Sequence, residues 1–138
     1  MKLVINRCYG GFSLSRQAIC EYAALAGFSA HFYKAEVVQT RIYKKISPFE
    51  KESLFTYKLK TDLGDVATEE QMNAAEWIDD RGLPRNDVNL IAVVEKLGDA
   101  ANGACAELRI IEIPDGVEYE IDDYDGMESV HETHRSWA

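Results

Sequence analysis

The chain has 138 residues, of which 46% are apolar and 28% charged, and it carries a net charge of −9 with a pI near 4.8. Those figures suit one domain, residues 1–138, with a hydrophobic core. They exclude a collagen-like chain, a disulfide miniprotein and a membrane-spanning bundle, and they speak against non-specific nucleic-acid binding, which requires a basic face.

The first element predicted is a strand. Leu3-Val4-Ile5 is apolar and largely β-branched, the pattern of a strand buried on both faces. A glycine turn follows, Cys8-Tyr9-Gly10-Gly11-Phe12-Ser13-Leu14-Ser15, in which Ser13 or Ser15 can cap a helix. Ile19, Tyr22, Ala23 and Ala26 recur at helical spacing, and Gly27 fits the position just past the helix end. Over residues 28–60 the period becomes two. Phe28, Ala30 and Phe32, then Val38, Thr40 and Ile42, then Phe55, Tyr57 and Leu59 alternate with polar residues. That predicts antiparallel strands with one wet face, with Ser47-Pro48 marking a turn.

Thr68-Glu69-Glu70-Gln71 is a capping box and predicts a helix to about Asp80. Asn86 or Asp87 caps the next helix, where Leu90, Val93, Val94, Leu97 and Ala101 form the clearest stripe in the chain, closed by Asn102-Gly103. Leu108 to Ile113 predicts a second central strand, and Pro114-Asp115-Gly116 a turn. Val117, Tyr119 and Ile121 resume the alternation, Asp122 to Gly126 reads as an acidic loop, and Met127, Val130, His134 and Trp137 suggest a short C-terminal helix. The order predicts an α+β fold, a mixed β-sheet with helices mainly on one face.

Charge is distributed unevenly. Residues 1–60 carry a net +6 and residues 61–138 a net −15. Either the two halves interleave in space, or the body carries a basic and an acidic patch. Cys8, Cys20 and Cys105 are an odd number without a CxxC, which argues against a disulfide framework or a four-cysteine zinc site. The apolar run near the N-terminus is too short for a signal peptide, so a reduced, cytoplasmic setting is expected.

Two stretches resemble a family of short uncharacterised proteins encoded by bacteriophages and prophages. One is Ile5-Asn6-Arg7-Cys8-Tyr9-Gly10-Gly11-Phe12-Ser13-Leu14-Ser15. The other runs from Arg85-Asn86-Asp87 through Ile113-Pro114-Asp115, Tyr119-Glu120-Ile121 and Asp123-Tyr124-Asp125-Gly126 to His134-Arg135. The resemblance implies a small phage accessory protein in the host bacterial cytoplasm, acting against host defence. It implies no catalytic residue and no cofactor.

The residues themselves offer three readings. In the first, the turn between strand and helix holds a small anionic or nucleotide-like ligand, within one chain or between subunits of a homo-oligomer. Gly10, Gly11, Ser13 and Ser15 would present amides and hydroxyls at the positive end of a helix, with Arg7, Arg16 and Arg109 as counter-charges. A plain capped turn, and an Arg109 paired with Glu107 or Glu112, compete with that reading. The turn lacks the P-loop lysine and the GxGxxG spacing. In the second, Asp122, Asp123 and Asp125 dock on a basic surface of a host defence protein. In the third, Cys8 or the histidines His131 and His134 serve a small enzyme, with packing roles as the competing account. Asp122 to Gly126 lacks the glutamate a calcium loop needs, and no metal is expected.

Overall fold

The computed structural model describes residues 1–35, 42–49 and 56–133. The α+β class stands, with one difference from the expected mixed sheet: every described ladder is antiparallel, and the strands fall into three sheets.

Strand β1 (Lys2–Asn6) pairs with β6 (Leu108–Glu112). Leu3, Val4 and Ile5 are all buried, as the unbroken apolar run predicts. The second edge of β1 is closed without a strand: the Val4 amide donates to the Arg85 carbonyl (2.9 Å) and the Asn6 amide to Glu128 Oε1 (2.8 Å). Helix α1 (Arg16–Ala26) starts at Ser15, whose hydroxyl accepts from the Ala18 amide, and stops at Gly27, which takes the left-handed conformation that glycine tolerates. Its stripe buries Ile19, Tyr22 and Ala23 but leaves Ala26 exposed. Helix α3 (Val88–Leu97) is capped by Asp87, which also accepts from the Tyr22 hydroxyl (2.7 Å). α3 packs on α1 and on β1 and β6 through Leu90, Val93 and Val94, and a 3-10 turn (Gly98–Ala101) carries the chain to β6.

Strands β2 (His31–Ala35), β3 (Ile42–Ile46), β4 (Tyr57–Leu59) and β5 (Val66–Thr68) form a four-stranded sheet in the order β4-β2-β3-β5. The expected wet face is absent at its centre, because Phe32 and Tyr33 point to opposite faces and both are buried. Phe32 joins the main core of Val4, Phe12, Leu14, Ile19, Leu90 and Val93, while Tyr33 joins Leu59, Ala67 and Met72 under α2 (Glu69–Ala74). Val38, Thr40 and Phe55, expected in strands, lie outside the described residues.

Two expectations fail on tertiary grounds. The capping box forms at Thr68, but α2 ends at Ala74 rather than near Asp80. Residues 76–78 instead line the open edge of β4, where the Lys60 amide donates to the Glu76 carbonyl and the Ile78 amide to the Lys58 carbonyl. A free sheet edge offers these amides partners that another helical turn would forgo. Residues 127–132 are not helical either. They form β8 (Met127–Glu132), paired over six positions with β7 (Tyr119–Tyr124), and only Asp125 and Gly126 make the loop. Both loop residues have positive φ (52° and 92°), the geometry of a two-residue Asp-Gly hairpin turn whose twist matches the strands. His134 and Trp137 lie outside the described residues.

Candidate functional site

The glycine turn and the tip of the β7–β8 hairpin meet. The Gly10 amide donates to the Asp125 carbonyl at 3.0 Å. Gly126 lies so close that a side-chain carbon there would stand 2.1 Å from the Gly11 nitrogen, and one on Gly10 would stand 2.7 Å from Cys105 Cβ. These contacts, together with the positive φ of Gly10 (111°) and Gly11 (100°), explain the paired glycines.

A polar network locks the hairpin in place. Asn6 is fully buried, and its amide group donates to the Cys8 and Gly126 carbonyls (2.7 Å each). Its oxygen accepts from the amides of Glu107 (2.8 Å) and Cys8 (3.3 Å). Glu128 is buried between two arginines: Arg85 donates to its Oε2 (2.7 Å), and Arg7 donates to its carbonyl (2.7 Å). The Arg85 guanidinium also stacks 3.6 Å over the Phe12 ring. A buried carboxylate is tolerable only when paired and hydrogen-bonded, and Glu128 is both.

The structure does not bring the expected ligand residues together. Arg7 reaches Glu128 instead of open space. Arg16 is buried and donates to the Ser47 carbonyl, away from the glycines. Arg109 is half-exposed on β6 and paired with Glu107, as the competing account has it, and with Asp99. The Leu14 amide is taken by Asp80 (2.9 Å), the Ser15 amide by the Ala101 carbonyl (2.9 Å) and the Ala18 amide by the Ser15 hydroxyl (3.1 Å). Ser13 is covered by Gly103, whose amide donates to the Ser13 carbonyl. The turn is thus the seat of the hairpin. Sequence reasoning missed Asn6, Arg85 and Glu128 as its anchors. Asn6, directly after the apolar run Leu3-Val4-Ile5, was the available signal.

What the hairpin displays is negative charge. Residues 118–132 contain seven carboxylates and no Lys or Arg. Glu128 turns inward, and Glu118, Glu120, Asp122, Asp123, Asp125 and Glu132 are exposed. Asp122 contacts His131, the Asp123 carboxylate accepts from the Gly126 amide (2.7 Å), and Asp125 occupies the turn. Tyr124, at 77% exposure, stands beside them. Cys8 sits next to the Asn6 network with both backbone polar groups bound to Asn6. His131 lies on a strand, so the helical spacing to His134 does not apply to it.

Basic residues are arranged otherwise. On and beside the four-stranded sheet, Lys45 pairs with Asp62 (2.7 Å), Lys58 with Asp80 (3.1 Å) and Lys60 with Glu76 (3.7 Å). The Lys45 ammonium, followed by the Gly64 amide, holds the Asp62 carboxyl below its ordinary range. Among the described residues no helix is long and apolar enough to cross a membrane. No protein-family model, curated protein or solved structure matches the chain.

Proposed function

We propose that this chain is an interaction protein that docks on a basic surface of another protein through the β7–β8 hairpin. The observation that carries this reading is a rigidly seated ribbon with six exposed carboxylates and no Lys or Arg between residues 118 and 132. A field of one sign on a fixed element steers encounter with a surface of the other sign and rejects like-charged ones. Tyr124 adds an amphipathic aromatic of the kind that anchors interfaces. In the phage setting that the sequence resemblance implies, the partner is a host defence protein and docking inhibits it. The same hairpin contacts that support this reading leave the glycine turn little room for an anion.

The test compares the wild type with a variant carrying Asp122→Ser, Asp123→Ser and Asp125→Ser, serine retaining an oxygen that can accept in the turn. Proteins captured from a bacterial lysate are purified, and their association rates are measured across a salt series. The reading expects a partner that associates about tenfold or more slowly with the variant at low salt, with a flatter salt dependence. Partners that bind both proteins alike at every salt concentration would refute it.

A further inference from the structure

The outer face of the hairpin holds a mixed donor set that charge alone does not explain. Glu120 and His131 are direct cross-strand partners, and Asp122 is two residues along β7 on the same face. One ligand atom from each of the three lies within 4.8 Å of the others, and His131 Nε2 already contacts an Asp122 carboxylate oxygen. The geometry points to a site for a first-row divalent transition metal ion, of which Zn2+ is the probe, held by Glu120, Asp122 and His131.

The donor chemistry sets the class. Two carboxylate oxygens alone would favour hard ions such as Mg2+ or Ca2+, but those ions gain little from an imidazole, whereas Zn2+ and its neighbours bind it well. Three protein ligands leave coordination positions for water or for a donor from a partner, as in open rather than closed zinc sites. All three side chains are exposed, so the ion can enter without the fold opening. The ribbon is held in register over six pairs and seated through Gly126 and Glu128, so the donors are positioned before the ion arrives. The two carboxylates bring charge −2 against the ion's +2, so loading would neutralise this part of the acidic face. The inference stands whether or not the hairpin docks on a protein.

The experiment is calorimetric titration of the chelator-treated full chain with Zn2+, supported by the visible absorption of Co2+. One ion per chain is expected, with Co2+ bands that shift on binding. Even partners outside the coordination shell cost about 10–100-fold when removed, so His131→Ala, losing a ligand, should weaken binding at least that far. Glu120→Gln combined with Asp122→Asn should do the same, and His31→Ala should change nothing. Melting temperatures of the variants near that of the wild type show that the losses are local. Absence of Zn2+ binding, equal binding by His131→Ala, or equal competition by millimolar Ca2+ or Mg2+ would each overturn the site.

Discussion

The four-stranded sheet and the β7–β8 hairpin are both antiparallel and both heavily charged, yet they treat charge in opposite ways. In the sheet region, lysines from the basic half of the chain meet carboxylates from residues 61–80: Lys45 with Asp62, Lys58 with Asp80, Lys60 with Glu76. There the halves interleave, and these three pairs cancel part of the asymmetry. On the hairpin it does not cancel, because residues 118–132 contain no Lys or Arg and the arginines that bond to it, Arg7 and Arg85, are occupied at buried Glu128. Paired surface charge contributes little to stability or recognition, whereas unpaired charge on a fixed element is available to a partner.

That contrast depends on the hairpin being held. The strongest way to break it is Glu128→Ala, which leaves the Arg85 guanidinium without its carboxylate and the Asn6 amide without an acceptor. A loss of about 3–5 kcal/mol is expected in urea unfolding, with Glu128→Gln less damaging because it can still accept from Asn6. Gly126→Ala should follow. It places a carbon against the Gly11 backbone at a φ of 92° and should cost about 1–3 kcal/mol, with hairpin amides exchanging faster than those of β2 and β3. A hairpin that keeps its protection in both variants would mean that the seat is not what holds it.

The sheet side is tested more gently. The Asp62 carboxyl titrates below its ordinary range, so its contribution to stability is present above about pH 4, where the unfolded carboxyl is ionised, and is lost as pH falls through the depressed folded value. Carbon-detected NMR titration should show Asp62 moving upward in Lys45→Ala. An unmoved titration would assign the shift to the Gly64 amide instead. The smallest effect expected is on stability itself: Lys45→Ala should leave the melting temperature near its wild-type value, since an exposed pair exchanges one solvated partner for water.

Much of the fold was legible in local pattern. The buried strand at Leu3-Val4-Ile5, the Thr68 cap, the caps narrowed to Ser13 or Ser15 and to Asn86 or Asp87, the Gly27 stop and the stripe of Leu90, Val93 and Val94 all follow from spacing and capping chemistry, which act within a few residues. The early end of α2 and the strand at 127–132 did not, because a sheet edge and a cross-strand partner decided them. Asp-Gly between alternating residues was a hairpin signal, but a helical spacing of Met127 and Val130 competed with it. The candidate site divides in the same way. Asp122, Asp123 and Asp125 could be picked out as an acidic run, while Asn6, Arg85 and Glu128 come from distant parts of the chain.

By itself, then, the sequence determined the α+β class, the helix boundaries set by caps and the excess of negative charge in the second half, because each depends on short-range periodicity or on composition. Only the tertiary structure decided that the paired glycines receive a hairpin tip and that Lys45, Lys58 and Lys60 of the basic half meet carboxylates while the outward hairpin carboxylates meet no Lys or Arg of their own ribbon. Hydrogen bonds and ion pairs between residues about 40 to 120 positions apart leave no local trace in sequence, since their geometry exists only once the chain has folded.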